Sequence, residues 1–246
     1  MTDHKPRVAI VTGASKGIGA AIARRLASDG AAVIVNYAHS RASAERLVGD
    51  IEGAGGKALA VQADVASAEG LQSLFDAAEQ AFGQADILVN NAGIMELAPI
   101  ADVSDEAFER QIAINLGGVV RGMREGARRL RDGGRIISFS SSVVGLYQPS
   151  YGIYAATKAA TEALTHILAK ELGQRAITVN AVAPGPVETE LFTRGKSDDQ
   201  IAAIARMNPL GRLGRPEDIA DVVSFLAGPD SGWVNGQVIR ANGGVI

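Results

Sequence analysis

Residues 8–19 read VAIVTGASKGIG, an apolar run that ends in a turn with glycines at positions 13, 17 and 19. The run predicts a short buried strand, and the apolar spacing that follows, Ile22 and Leu26, predicts a helix. Glycines let a backbone turn tightly and approach a pyrophosphate, whose charge then lies at the helix N-terminus. The stretch therefore predicts a dinucleotide cradle made of Gly13, Ser15, Lys16, Gly17, Ile18 and Gly19. A glycine-rich turn of this kind, taken alone, is also common as a purely structural feature.

Strand and helix patterns alternate along the rest of the chain. Apolar β-rich runs predict strands at 7–11, 32–36, 58–62, 87–90, 135–139, 178–182 and 237–240, and helical spacing covers 44–51, 71–82, 108–130, 155–172 and 219–226. Gly30 and Gly83 are placed as helix C-terminal stops. This alternation predicts a Rossmann-type α/β fold, a doubly wound parallel sheet of about seven strands flanked by helices, as a single domain over residues 1–246. The polar segment 188–208 lacks a strand and is predicted to form a lid over the site.

Composition excludes several classes of protein. The 246 residues are 47% hydrophobic and 21% charged with a net charge of -3, so we expect no nucleic-acid partner. There is no cysteine, and the histidines His4, His39 and His166 are too scattered to suggest a metal site. No run approaches membrane-spanning length, and the polar stretch 1–7 does not resemble a signal peptide, so the expected location is the cytoplasm.

The end of the second predicted strand bears on the choice of dinucleotide. An acidic residue there would bind a ribose 2′-hydroxyl and repel a 2′-phosphate, but the strand ends Val35-Asn36-Tyr37 without a carboxylate. Lys16 and Arg41 offer positive charge, and Asn36, Ser40 and His39 offer hydrogen-bond donors. We therefore expect NADP(H), although Lys16 and Arg41 are also what a solvated surface would carry.

Tyr154 and Lys158 are predicted to handle protons. A tyrosine has an ordinary pKa of about 10, and a neighbouring positive charge favours its phenolate. The two residues are four apart in a helical stretch, so they project from one helix face. An exposed i,i+4 pair without function is the alternative if the spacing is taken alone.

Together, these and further motifs resemble the short-chain dehydrogenase/reductase family over essentially the whole chain. The motifs are TGASKGIG at 12–19, Asp64-Val65, NNAG at 90–93, Asn115, the serines at 140–142, YAATK at 154–158 and Pro184-Gly185. Within the family these motifs are similar to those of the 3-oxoacyl-acyl-carrier-protein reductase and polyhydroxynaphthalene-reductase-like branch. The closing Ala241-Asn242 departs from the usual Val-Asp.

The resemblance implies a role for each matching residue. Tyr154 would be the general acid in reduction, Lys158 would lower its pKa and bind the nicotinamide ribose, and Asn115 would hold a water for a proton relay, although Asn115 also fits a helix-kinking core amide. The substrate-polarising serine is assigned to Ser142 by its Ser-x-x-Gly wording, with Ser141 as the alternate by its separation from Tyr154. Asp64 would contact the adenine or cap a helix. The remaining implied cofactor residues are Val65, Asn91, Ala92, Gly93, Pro184, Gly185, Val187 and Thr189.

These expectations describe an NADPH-dependent reductase of a small-molecule ketone, either a 3-oxoacyl thioester or another carbonyl compound, that assembles as a homotetramer. Alternatives are an NAD-dependent alcohol or sugar dehydrogenase and a non-catalytic NADP(H)-binding sensor. The predicted pocket walls are largely apolar and favour a ketone with hydrophobic or aromatic groups; they are Ile94, Met95, Val144, Leu146, Tyr147, Gln148 and Leu191.

Overall fold

The computed structural model describes residues 6–246, and within this range seven parallel strands form one sheet in the order β3-β2-β1-β4-β5-β6-β7. The predicted fold class is therefore confirmed. His4 lies outside the described residues. The strands are β1 (Val8–Val11), β2 (Ala32–Tyr37), β3 (Lys57–Gln62), β4 (Ile87–Asn90), β5 (Arg135–Phe139), β6 (Thr178–Pro184) and β7 (Val238–Ala241).

Helices cover both faces of the sheet, which is why the central strands are buried throughout and read as continuous apolar runs. One face packs against α1 (Gly17–Ser28), α2 (Arg41–Gly53) and α10 (Pro216–Ala227), and the other packs against α3 (Ala68–Ala81), α5 (Gly118–Arg129) and α7 (Gly152–Glu171). The shorter helices are α4 (Asp105–Gln111), α6 (Val143–Leu146), α8 (Glu190–Thr193) and α9 (Asp198–Met207). Gly30 and Gly83 follow the ends of α1 and α3 with positive φ, as predicted.

Three predicted elements differ from those observed. The helix predicted over 108–130 is divided into α4, a π-helical stretch at Ile112–Gly117 and α5. The wider π turn gives the Asn115 amide an inward position that helical periodicity does not reveal. β6 continues to Pro184, two residues beyond the predicted end, because it pairs with β7 as far as Ala241. The strandless segment 188–208 holds the two helices α8 and α9.

The strand order reverses between β1 and its neighbour β4, which opens a crevice at the carboxyl ends of the strands where ligands bind in such sheets. The segments that follow β1 to β6 all begin at this edge, and the predicted site residues lie on or beside them. Among residues 6–246, no helix is both long and apolar enough to cross a membrane.

Candidate active site

The glycine turn after β1 is held by close packing. Gly13 and Gly17 have φ values of +62° and +57°, a region that residues with side chains rarely adopt. A Cβ on Gly13 would lie 2.9 Å from the Cα of Ala92, and one on Gly19 would lie 2.5 Å from Nδ2 of Asn91. Asn91 in turn donates from this amide to the carbonyl oxygens of Thr12, at 2.8 Å, and of Gly13, at 3.1 Å. The structure thus brings the segments 12–19 and 91–93 into direct contact.

The N-terminus of α1 is open to an anion. Its N-cap is Lys16, whose side chain makes no capping bond, and its first turn carries no acidic residue. The ammonium of Lys16 instead lies 2.6 Å from a carboxylate oxygen of Glu190, the first residue of α8. A Cβ on Gly17 would contact the side chain of Thr189, at 3.4 Å. The glycine turn therefore faces the start of the segment predicted to be a lid.

Asn36 does not occupy the place expected of a phosphate ligand. Its side chain is almost fully buried: Oδ1 accepts from the backbone N–H of Gly13 at 3.0 Å, and Nδ2 donates to the carbonyl oxygen of Ala63 at 3.0 Å. The amide is thus already bonded within the chain. Asn36 holds the glycine turn against β2, and a contact with the 2′-phosphate, as predicted, would require one of these bonds to break.

Ser40 and Arg41 begin α2 at the carboxyl end of β2. Ser40 is the N-cap residue, and its hydroxyl makes no capping bond. Arg41 is exposed, with Nε 3.1 Å from the hydroxyl of Tyr37 and 3.4 Å from a carboxylate oxygen of Glu45. Ser40 and the exposed Arg41 thus lie at the carboxyl end of β2, where the cofactor contact is predicted.

Asp64 and Val65 follow β3 as predicted, and Asp64 is exposed at the same edge. Its Oδ1 accepts from the N–H of Ala66 at 2.9 Å. The alternative of a helix cap does not hold, because Ser67 caps α3 by accepting from the N–H of Gly70. Val65 is buried under Gly118 of α5, where a Cβ on Gly118 would lie 3.1 Å from it.

Asn115 is fully buried in the π-helical stretch. Its amide accepts from the N–H of Ile94 and donates to the carbonyl oxygen of Ile94, both at 2.8 Å, and Nδ2 also lies 3.5 Å from Oγ1 of Thr157. A Cβ on Gly93 would lie 3.3 Å from Oδ1 of Asn115 and 3.6 Å from Nζ of Lys158. The side chain therefore pins the loop after β4, next to Lys158.

Tyr154 and Lys158 share one face of α7. Nζ of Lys158 donates to the carbonyl oxygen of Phe139, at the end of β5, at 2.9 Å, and lies 5.5 Å from the centre of the Tyr154 ring. Burial lowers the pKa of Lys158 to about 8. Burial raises the pKa of Tyr154 to about 12, against a smaller lowering by the Ser141 hydroxyl. The expected lowering of the tyrosine pKa is therefore outweighed by burial, and the phenol is protonated near neutral pH.

The structure favours Ser141 over Ser142 as the serine at the site. The Ser141 side chain is close enough to the Tyr154 hydroxyl to lower its pKa through a hydrogen bond. Ser142 is buried; its Oγ donates to the carbonyl oxygen of Ala183 at 3.3 Å and accepts from Nδ2 of Asn242 at 3.0 Å. The Ser142 hydroxyl is thus already bonded within the chain, which favours the alternate, Ser141, as the serine that polarises the substrate. Ser140 is also buried and donates to Glu162 at 2.6 Å.

The segment after β6 closes the remaining side. Gly185 packs against Asn242, with its Cβ position 2.9 Å from the Cα of that residue, and Val187 is buried in a parallel bridge with Gly214. Thr189 caps α8 by accepting from the N–H of Phe192 at 3.3 Å. Within residues 6–246, the backbone N–H of Val187 has no hydrogen-bond partner. These residues stand at the sheet edge shared by Tyr154 and the glycine turn.

Sequence reasoning missed three contributors. Glu190 and the carbonyl oxygen of Phe139 carried no sequence signal, because each matters only through a partner brought close by folding. Asn242 carried a signal, its departure from the usual family residue, but its contact with Ser142 was not foreseen. The assembled edge combines an anion-binding helix terminus, a protonated phenol with a hydroxyl neighbour, and a buried amine.

Comparisons with known proteins identify related chains and structures. A family model described as enoyl-(acyl carrier protein) reductase matches residues 13–246. An uncharacterized oxidoreductase of Methylorubrum extorquens is 49% identical over 100% of both chains. A protein of Arabidopsis thaliana described as NADPH-dependent aldehyde reductase-like and chloroplastic is 45% identical over 98% of this chain and 94% of its own. A short chain dehydrogenase of Burkholderia cenocepacia, solved in complex with NADP, is 38% identical with a TM-score of 0.92, covering 98% of each chain.

Proposed function

Because this chain belongs to the short-chain dehydrogenase/reductase family, we propose that it reduces a ketone with NADPH and uses Tyr154 as the general acid. It is an NADP-dependent oxidoreductase of that family. The observation that carries the proposed chemistry is the shared helix face of Tyr154 and Lys158, with Ser141 facing the phenol. A phenol that is protonated near neutral pH can serve as the acid that reduction needs.

The residues of the crevice fit a phosphorylated dinucleotide. The uncapped terminus of α1 suits its pyrophosphate, and the tight contact of Gly13 and Gly19 with the 91–93 segment leaves no room for side chains in the turn. Lys16, Ser40 and Arg41 would hold the 2′-phosphate, and Val187 and Thr189 would hold the nicotinamide end. When bound, NADPH supplies the hydride.

The proton chemistry falls to the residues of the chain. Tyr154 donates its phenolic proton to the ketone oxygen, while the Ser141 hydroxyl polarises that oxygen as negative charge builds on it. The ammonium of Lys158, held by the carbonyl of Phe139, stabilises the phenolate left behind. Asn115 holds the loop beside Lys158, where water can return the proton.

The substrate we propose is a ketone with a bulky apolar or aromatic group, including a 3-oxoacyl thioester. Exposed apolar side chains stand on the loops that follow β4, β5 and β6, at the mouth of the crevice; they are Leu97, Ile100, Tyr147 and Leu191. Ile100 packs against Gly152, and Ala98 donates to the carbonyl oxygen of Ser150 at 3.1 Å, so two of these loops are joined. An apolar mouth desolvates a hydrophobic substrate at little cost.

We propose that residues 188–208 act as a lid that closes over the substrate. Neither α8 nor α9 contains a buried residue, which is typical of segments that open at low free-energy cost. Closure would exclude water during the reaction. The segment is bounded by Thr189 at its start and by Asn208, a buried residue, at its end.

We also propose that the protein assembles as a homotetramer and is located in the cytoplasm. Exposed apolar side chains on α5, α7, α10 and the segment before β7 would be covered in an assembly; they are Val120, Ile167, Phe225 and Trp233. Arg124 and Arg128 of α5 already have a carboxylate within the chain, since each lies 3.7 Å from Glu125. Light scattering of the purified protein and cell fractionation test these two points.

The decisive experiment follows NADPH oxidation with an acetoacetyl thioester, aromatic diketones, a quinone and simple ketones, and repeats each assay with NADH. We expect turnover with NADPH and a loss of about a thousandfold in Tyr154→Phe, with NADPH binding kept. Tyr151→Phe is the matched control, since its ring lies 6.5 Å from that of Tyr154 without sharing the lysine.

Other outcomes select the alternatives. A preference for NADH with an alcohol or sugar would identify an NAD-dependent dehydrogenase. Silence across the panel, with NADPH still raising the Tm, would favour a sensor.

A further inference from the structure

A chain of buried polar residues begins at Ser142, next to the proposed catalytic serine Ser141, and connects three distant parts of the sequence. The side-chain Nδ2 of Asn242 donates to Oγ of Ser142 at 3.0 Å. The backbone carbonyl oxygen of Asn242 accepts from Nδ2 of Asn208 at 2.9 Å. All three residues are buried. Ser142 follows β5, Asn242 follows β7, and Asn208 follows the last lid helix, α9.

At one end, this chain immobilises the backbone next to Ser141. The backbone N–H groups of Ser140 and Ser142 donate to the carbonyl oxygens of Val182 and Pro184 at 2.8 and 2.9 Å, so the ladder between β5 and β6 continues on both sides of Ser141. The Ser142 hydroxyl adds a bond to the carbonyl oxygen of Ala183. A shift of Ser142 would therefore move the Ser141 hydroxyl relative to Tyr154.

At the other end, the chain fixes the base of the lid. Asn208 is the C-cap residue of α9, and its Oδ1 accepts from the N–H of Leu210 at 2.9 Å. Gly243, with φ of +67°, is packed against this amide, where a Cβ would lie 2.5 Å from Oδ1. The end of the last lid helix is thus anchored to the segment after β7 through the buried Asn208.

The chemistry of this chain requires an amide at position 242. Oδ1 of Asn242 accepts from the N–H of Gly244 at 2.9 Å, which orients the amide so that Nδ2 faces Ser142. The Ser142 hydroxyl donates its proton to the carbonyl oxygen of Ala183, so a partner on its lone pairs must be a donor. With a carboxylate at position 242, the Ser142 hydroxyl would have two acceptors, the carboxylate and the Ala183 carbonyl oxygen, and no donor. One of its two present bonds would then be lost.

We propose that Asn242 is a positioning residue that holds Ser141 and the base of the lid in one fixed relation. The chain Ser142–Asn242–Asn208 transmits a displacement at either end to the other, because its members are buried and a broken bond between them is costly. Lid closure over substrate thereby coincides with the correct placement of Ser141. This inference rests on the proposed roles of Ser141 and of the lid at 188–208.

The test uses the full-length protein with the variants Ser142→Ala, Asn208→Ala, their double variant and Asn242→Asp. Two readouts are followed: kcat for a ketone found in the substrate panel, and the rate of tryptic cleavage within the lid at Arg194, Lys196 and Arg206. We expect each single variant to lower kcat about tenfold with little change in KM for NADPH, and to speed lid cleavage. In both readouts the double variant should equal the more impaired of the two single variants, because one broken hydrogen bond already uncouples the two ends of the chain.

The matched control is Ser231→Ala, another fully buried serine that donates to backbone carbonyls, those of Leu226 and Gly228, far from the site. It should lose a similar amount of stability without changing kcat or lid cleavage. Effects of Ser142→Ala and Asn208→Ala that multiply in the double variant, or lid cleavage that does not respond to Ser142→Ala, would overturn the inference. Where Asn242→Asp does not fold, the Ser142 and Asn208 variants decide.

Lid cleavage needs no turnover, so this readout separates the two proposals. If Tyr154→Phe proves inactive and lid cleavage ignores Ser142→Ala, only the inference about Asn242 fails. If no substrate is reduced but the lid loosens in both single variants and no further in the double, the structural link stands and the proposed reaction fails.

Discussion

The ammonium of Lys16 and a carboxylate oxygen of Glu190 lie 2.6 Å apart, although 174 positions separate them in the sequence. Lys16 is the uncapped N-cap position of the helix that would receive the pyrophosphate, and Glu190 begins the segment proposed to be a lid. The lysine and Arg194 together hold the pKa of the Glu190 carboxyl below its usual range. A 2′-phosphate that binds at Lys16 must therefore compete with this carboxylate.

Glu190→Gln is expected to tighten NADPH binding, because it removes both a competitor for Lys16 and a nearby negative charge. An exposed ion pair is weak and screened by salt, so the affinity should rise by no more than about fivefold, and less at high salt. The affinity for NADH, which lacks the 2′-phosphate, should rise less. Fluorescence titration with each cofactor measures this. Glu188→Gln is the matched control, since Glu188 is also exposed but forms no ion pair within residues 6–246; an equal gain there would contradict the prediction.

Asn36→Asp should not convert the protein to NADH. The substitution keeps an acceptor for Gly13 but removes the donor to Ala63 and places a carboxylate in a buried position. We expect a loss of about 1 to 3 kcal/mol in the free energy of unfolding and a similar weakening for both cofactors. Urea unfolding and cofactor titration measure the two effects, with the exposed amide change Gln62→Glu as control. A switch in preference to NADH would instead return Asn36 to the phosphate site.

Ser141→Ala should reduce kcat more than Ser142→Ala does. Ser141 faces the phenol of Tyr154, so its loss removes a direct hydrogen bond to the substrate oxygen, worth about a hundredfold in kcat. Ser142 acts only through its neighbours, and about tenfold is expected. Steady-state kinetics with one ketone compares them, and Ser231→Ala controls for loss of a buried hydroxyl. The opposite ranking would restore the assignment of Ser142.

Lys158→Met should make the protein more stable and inactive. Burial lowers the pKa of Lys158 from 10.5 to about 8, so the folded chain binds this proton less tightly than the unfolded chain. The resulting cost of about 3 kcal/mol is present in full below pH 8 and declines as the pH rises from about 8 to 10.5. Methionine removes this cost but leaves the Phe139 carbonyl without its donor, at about 1 kcal/mol.

The net gain expected for Lys158→Met near neutral pH is therefore about 1 to 2 kcal/mol in the free energy of unfolding. Urea unfolding at several pH values measures it, and the gain should shrink toward pH 10. Lys170→Met on the same helix is the control, because Lys170 is exposed and should shift stability by no more than about 0.5 kcal/mol. A loss of stability in Lys158→Met would show that the ammonium is better accommodated than burial implies.

The pH dependence of reduction should follow Lys158 rather than Tyr154. Tyr154, with a pKa of about 12, keeps its proton over the accessible range, whereas Lys158 becomes neutral above about pH 8 and then stabilises the phenolate poorly. We expect kcat/KM to be level below pH 8 and to fall above it, since this ratio reports the free enzyme. A profile that rises through pH 8 would contradict these roles.

The main features of the fold were accessible from sequence because they depend on local patterns. Apolar runs and helical spacing located all seven strands and the long helices, and strand-helix alternation allowed only a parallel sheet. The π-helical stretch at Ile112–Gly117 was missed, since it depends on the fit of Asn115 to the backbone of Ile94, a contact that no periodicity records.

The sequence by itself determined those features that depend only on residues close together in the chain. Helical spacing places Tyr154 and Lys158 on one face, and glycines make the turn after β1 possible. Only the tertiary structure decided which side chains are free. Asn36 and Ser142 look available in sequence, yet each is bonded to distant segments, Ser142 to Asn242 across 100 positions. A buried polar group whose hydrogen bonds are already made within the chain is less free to bind a ligand, and its partners come from remote parts of the sequence.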